Sequence, residues 1–97
     1  MGKPYELLTR KALEKGDLVF YISPLGTNVA KVYHDDPQFG SENNFDIKIG
    51  RLGQRKPEKV SGTVNSDEVI ILLKKDGRVL LGKNFYEKIE TDSKSNE

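Results

Sequence analysis

Cysteine is absent from the 97 residues, and histidine occurs only once. The first absence removes thiol catalysis, disulfide staples and Cys-based zinc sites, and it fits a reducing compartment or a self-sufficient core. The second leaves His34-Asp35-Asp36 without another imidazole. Metal sites and general-base dyads draw convergent groups from several elements, so this tripeptide reads as a strand end entering an Asp-Asp-Pro turn. Long apolar runs are missing too. The longest, Val69 to Leu73, has five residues, against about 20 for a membrane helix. Met1 to Glu6 carries no apolar signal region, and Glu6 stands where a myristoylation signal needs Ser or Thr. The expectation is a cytoplasmic chain without a membrane contact. No Walker loop, nucleophile elbow or Ser/His/Asp spacing occurs, so no catalytic residue, cofactor or metal is assigned. A non-enzyme is expected.

What is present is evenly balanced. Charged residues make up 32% and hydrophobic ones 35%, with a net charge of +1. That is too apolar for a disordered chain and too neutral for a globally basic nucleic-acid protein. The length fits one domain. Any charge-driven binding must come from a local patch.

Along the chain, residues 4–15 predict a short helix. Pro4 suits its first position and Gly16 the residue past its end, with Tyr5, Leu8 and Ala12 on one face. From Asp17 the period changes to two: Leu18, Phe20 and Ile22 alternate with Val19, Tyr21 and Ser23, and Phe20 is placed in the core. Pro24 and Gly26 mark a turn. A second strand runs from Val29 to His34, with either Ala30 and Val32 or Val29 and Tyr33 facing inward. Residues 35–44 read as a loop. Phe45, Ile47 and Ile49 then share one face against Asp46, Lys48 and Gly50. A basic loop at 53–59 precedes a short strand over 60–64, with Gly62 at a bulge. Val69 to Lys74 and Val79 to Gly82 form a hairpin about Asp76-Gly77 in a type I′ turn, which sets Leu73 against Leu80 and Leu72 against Leu81. Asn84 to Ile89 adds a turn and a short strand.

Short strands at roughly ten-residue spacing predict an all-β fold with one short N-terminal helix: a small barrel of five to six antiparallel strands. The domain divides into a docked helix over 1–16, a barrel over 17–90 and a disordered tail over 91–97. Lys15-Gly16-Asp17-Leu18-Val19, a turn, and then Val29-Ala30-Lys31-Val32 resemble the opening of SH3-like small barrels of the KOW and Tudor kind. The resemblance spans residues 15–34 and implies a barrel whose first strand follows a Gly-Asp pair. Residues 35–44 and 53–59 are longer excursions than compact members of that family make.

Two features point to binding. Asp35, Asp36, Glu42 and Asp46 lie in a stretch without a basic residue, and Lys48, Arg51, Arg55, Lys56 and Lys59 follow, opposed only by Glu58. The basic set could meet phosphate or an acidic partner, or the two loops could simply neutralise each other. Within it, Gly50-Arg51-Leu52-Gly53 has the GxxG spacing of a KH clamp, but a period-two run precedes it and Pro57 follows, so it reads as a strand end. Tyr21 and Tyr33 are the second feature. In SH3-like and Tudor-like barrels exposed aromatics near this position hold peptides or methylated cations. The first reading is therefore a non-catalytic adaptor or inhibitor domain that binds a protein partner. The second is a nucleic-acid-binding barrel using the basic 48–59 segment. The third is a regulatory subunit of an enzyme whose active site lies in another chain.

Overall fold

The structure, a computed structural model, describes residues 3–52 and 60–95, with the side chains of 35–39 and 93–95 excepted. Among the described residues seven strands follow one another: β1 (Glu6–Leu7), β2 (Leu18–Ser23), β3 (Gly26–Gly40), β4 (Phe45–Gly50), β5 (Gly62–Asn65), β6 (Val69–Leu73) and β7 (Val79–Leu81). A helix, α1 (Lys83–Ser95), closes the chain, and 3-10 turns occupy Arg10–Ala12 and Ser66–Glu68. The strands make one mixed sheet in the order β1-β7-β6-β2-β3-β4-β5. The fold is mostly β, as the alternation indicates, but the sheet is not closed: among the described residues β1 pairs only with β7, and β5 only with β4. No helix among the described residues is long and apolar enough to cross a membrane.

One face of the sheet builds the core. Leu8, Val19, Ala30, Val32, Phe45, Ile47, Ile49, Val64, Val69, Leu72 and Leu80 form a single buried cluster. Because Val64 of one edge strand and Leu80 from near the other edge share it, the sheet must curl around its own inner face. Phe45, Ile47 and Ile49 are buried as their spacing requires. The ambiguity in β3 resolves in favour of Ala30 and Val32. Phe20 is corrected: its neighbour Val19 faces inward, and Phe20 lies half-buried on the opposite, outer face.

Residues 4–15 do not form the expected helix. Glu6 and Leu7 pair in parallel with Leu80 and Leu81, Leu8 donates to the Leu81 carbonyl at 2.8 Å, and a 3-10 turn follows. The extended form wins because it gives the bare β7 edge a hydrogen-bonded neighbour and still buries Leu8. A helix appears at the other end instead. α1 takes the place of the strand expected over 84–89 and enters the stretch assigned to a disordered tail. Phe85, Tyr86, Ile89 and Glu90 are half-buried among its described side chains, spaced as one helical face. Tyr5 stacks edge-on against Tyr86, with centroids 5.7 Å apart, and donates to Glu90 at 2.9 Å.

Two further differences are local. β3 continues to Gly40 where a loop was expected, and the turn into β4 is confined to Ser41–Asn44. The β6–β7 hairpin is one residue out of the expected register, pairing Leu72 with Leu80 and Leu73 with Val79. Lys74 donates to the Arg78 carbonyl and Gly77 to the Lys74 carbonyl, which leaves the three-residue loop Lys75-Asp76-Gly77. Of these three residues only Gly77 has positive φ (94°). A type I′ turn needs two such residues, whereas a type I turn with one left-handed glycine needs one.

Candidate ligand-binding face

The outer face of the sheet is built by the strand positions that the core does not use. Cross-strand partners share a face, so the registers define two rows. Val79, Leu73, Leu18, Lys31 and Gly50 form one, running across β7, β6, β2, β3 and β4. Leu81, Ile71, Phe20 and Val29 form the other. Leu81 is buried; Leu18, Phe20, Ile71, Leu73 and Val79 are half-buried. Val29 is 39% exposed and Ile22, next along β2, 57%. A β-strand with apolar side chains on both faces ordinarily has a covering layer on each. Here one layer is the core, and among the described residues the outer strip along β2 is only partly covered, with Leu18 and Phe20 half-buried and Val29 and Ile22 exposed.

A concavity stands at each end of that strip. Before Leu18 is an open cleft of about 430 Å³ lined by Lys15, Gly16, Lys31 and Lys75. Beyond Ile22 is a second, about 230 Å³, between α1 and β6, with Ile22, Val69, Ile70 and Phe85 as its apolar lining and Asp67, Glu68, Asn84 and Lys88 as its polar one. The six residues of β2 separate them, a span of roughly 20 Å at about 3.3 Å per residue.

Next to the basic cleft lies a closed electrostatic cluster. Lys74, with a side chain 2% exposed, donates to Asp17 Oδ2 at 2.7 Å and pairs with Glu14 Oε1 at 2.7 Å. Its ammonium also donates to the Ala12 carbonyl. Asp17 Oδ2 accepts from the Glu14 amide at 2.9 Å. Burial acts to lower the Lys74 pKa, but its bonds to Asp17 and Glu14 outweigh that and hold it above the ordinary lysine value. The hydrogen bond from Lys74, then its charge, holds the Glu14 carboxyl below the usual range. These groups are engaged with one another, and their role is to pin the turn before β2 to the end of β6.

The residues singled out from sequence fall in different places. Tyr21 is half-buried and packs against the core. Tyr33 is half-buried, with its ring 5.0 Å from that of His34 and the Lys15 ammonium 4.9 Å from its centroid. Tyr21 opposes Asn28, five positions before Tyr33, so about 16 Å of strand separates the two rings' backbones. They do not form one aromatic site. Lys48 lies between Ile47 and Ile49 of the core and therefore faces outward, opposite His34 and Thr63. Arg51 is exposed directly after β4. Arg55, Lys56 and Lys59 lie outside the described residues. Gly50 ends a strand, as the period-two run into the GxxG stretch implies. Among the described residues no group of three His, Asp or Glu is arranged to hold a metal ion.

Sequence reasoning missed Lys15, Lys31 and Lys75, which share no spacing; only the β2–β3 and β6–β7 turns bring them together. It also missed the outer apolar strip, because a run such as Val69 to Leu73 reads as buried on both sides. Comparison with protein-family models, with characterised proteins and with solved structures returned no match for this chain.

Proposed function

We propose that this is a non-catalytic binding domain that recognises a protein segment along the outer face of β2. The observation that carries the reading is the partly exposed apolar strip, with Ile22 and Val29 at its exposed positions, between a lysine-lined cleft and an apolar one. Contiguous exposed apolar surface on a small domain marks an interaction site. The two ends differ in chemistry, and that specifies the ligand: a segment with acidic residues at one end and large apolar residues about six positions away. The centre of the strip is aliphatic, with Phe20 as its one ring, which favours a peptide over unpaired bases, since these stack on aromatic platforms.

Panning a random peptide library against the domain tests this. Enriched sequences should place Asp or Glu some six residues from Leu, Ile or Phe. Ile22→Asp and Val29→Asp, both at exposed positions, should abolish capture while changing stability by no more than about 1 kcal/mol. Failure to enrich any sequence, or capture that survives both substitutions, would overturn the reading.

A second reading rests on Lys31, Lys48 and Arg51, which the β3–β4 side places on or beside the same outer face, next to the basic 53–59 segment. It is nucleic-acid binding through phosphates. Each duplex phosphate contact would contribute about −0.9 to the slope of log affinity against log salt, so a slope near zero excludes it.

The fold itself supports an SH3-like small barrel, opened at one side. Gly16-Asp17 leads into β2. β2 to β5 run as a meander, and the 3-10 turn Ser66–Glu68 returns β6 to the free side of β2.

A further inference from the structure

We propose that Asp76 is a site of spontaneous isomerisation to isoaspartate, and that the β6–β7 loop gates the reaction and is loosened once it is complete. Asp76 is the one aspartate or asparagine of the chain that glycine follows. Glycine has no β-carbon to crowd an attack by its own nitrogen. Asp76 and Gly77 are both exposed, and a β-carbon placed on Gly77 would meet nothing within 4 Å. Asp76 Oδ1 accepts from the Arg78 amide at 3.0 Å, which folds the carboxyl back along the Gly77 peptide. In the reaction the Gly77 nitrogen gives its proton to solvent and bonds to Asp76 Cγ. The C–O bond of the protonated carboxyl breaks, releasing water and leaving a cyclic imide. Water then opens the imide at either carbonyl. Opening at Cγ restores aspartate, and opening at the main-chain carbonyl leaves the chain running through Cβ as isoaspartate.

The structure separates this position from the two where serine, the next smallest follower, stands. Asn65, before Ser66, is pinned: its side chain accepts from the Asp67 amide at 2.9 Å and donates to Asn44 and Asp46 at 3.0 Å, and Ser66 is buried. Asp92, before Ser93, lies within α1, where the helical ladder holds the following amide. At Asp76 the restraint is a single loop. The Gly77 amide donates to the Lys74 carbonyl at 3.0 Å, and the Lys74 amide donates to the Arg78 carbonyl at 2.8 Å. The first bond withholds the proton that must leave, so the reaction waits for the loop to open locally. Isoaspartate then adds one atom, Cβ, to the main chain of a three-residue loop and turns the carboxyl that accepted from Arg78 into a main-chain amide. The two closing bonds cannot both survive that change, and the Leu73–Val79 pairing beside them loses its anchor.

The test is incubation of the full chain in heavy-oxygen water at neutral pH, folded and in urea. Cleavage after glutamate and mass spectrometry of the 69–87 peptide follow. Each imide hydrolysis leaves one heavy oxygen, and chromatography separates isoaspartate from aspartate. Label and isoaspartate are expected at Asp76 ahead of Asn65 and Asp92. In urea they should form at least about tenfold faster, the population ratio of a modest local opening. The isomerised fraction should melt below the unmodified one. Asp76→Glu, whose longer side chain closes only a six-membered ring, should take up no label at this position. Gly77→Asn keeps a residue tolerant of positive φ while shielding its nitrogen, so slower labelling there tests the chemistry even if Asp76→Glu disturbs the loop. Faster labelling at Asn65 or Asp92, label that persists at this position after Asp76→Glu, equal rates with and without urea, or equal melting of the two fractions would each overturn the proposal.

Discussion

Two buried contacts are each set by one or two side chains. Asp17 and Lys74 lose nearly all their hydration; Lys74 regains it from Asp17, Glu14 and the Ala12 carbonyl, while Asp17 Oδ1 is buried without a hydrogen-bond partner among the described residues. Removing one partner of such a pair strands the other in low dielectric, at about 3–5 kcal/mol. Asp17→Ala should therefore lower the urea midpoint sharply, whereas replacing both by apolar residues should recover much of the loss. The pH dependence has two signs. The raised Lys74 pKa contributes stability that is present below the unfolded lysine value of about 10.4 and is lost as pH rises through the folded value above it. The depressed Glu14 contributes stability present above about 4.3 and lost as pH falls through its lower folded value. Unfolding midpoints followed from acid to alkali should thus fall at both ends, and Lys74→Met should flatten the alkaline limb. The other contact is steric. A β-carbon on Gly82 would lie 2.2 Å from the Val69 carbonyl oxygen and 2.6 Å from that of Ser66, both backbone atoms that have little room to yield. Gly82→Ala should cost at least about 3 kcal/mol, the upper end of ordinary overpacking, read as a drop in melting temperature; a wild-type melt would mean that β6 and β7 can separate freely. The role of Asp17 is half legible in sequence, since a Gly-Asp pair stands before a strand, but its partner 57 residues away carries no local signal.

Elements were legible where one face met the core and the other met water. β4 is the clear case, since Phe45, Ile47 and Ile49 need only a period of two to be placed. β2 is apolar on both faces, so alternation alone could not tell Val19 from Phe20, and the choice went to the larger side chain. The two substitutions should now separate: Leu72→Ala, in the core, should cost about 2–5 kcal/mol, and Phe20→Ala, on the half-open face, about 1–2 kcal/mol. Equal losses by chemical denaturation would show that the outer face is covered after all. Residues 4–15 and 83–95 exchanged roles for a similar reason. Both carry helical spacing, Tyr5, Leu8 and Ala12 in one and Phe85 with Ile89 in the other. Only the first had a vacant strand edge within reach, and edge pairing is a tertiary fact that local spacing does not carry. The hairpin register turned on whether Asp76 shares the left-handed conformation of Gly77, a choice between two allowed loops that composition does not make.

At the scale of the whole molecule, the binding face is where sequence said least, because its lysines and aliphatic residues come from β2, β3, β6, β7 and the turns between them. Net charge was the more informative quantity. A balance of +1 leaves no long-range field to gather a polyanion, so duplex DNA binding at physiological salt should be weak, with a salt slope shallower than about −2, or roughly two phosphate contacts. A steeper slope that disappears in Lys48→Ala/Arg51→Ala would promote the nucleic-acid reading above the peptide one. The seam between the two ends of the chain has a different consequence. Tyr5 and Glu90 bond across 85 residues, and β1 reaches β7 only after the whole meander has been laid down. Joining such distant segments carries a large loop-closure entropy, which the earlier, more local hairpins reduce by drawing the ends together. The seam should therefore close after the folding barrier has been crossed. In chevron kinetics Tyr5→Phe and Leu8→Ala should speed unfolding by nearly their full equilibrium cost and leave the refolding rate almost untouched. The domain would then lose its chain ends first when pulled or heated, and how long it stays folded would depend on a two-residue strand rather than on the bulk of its core.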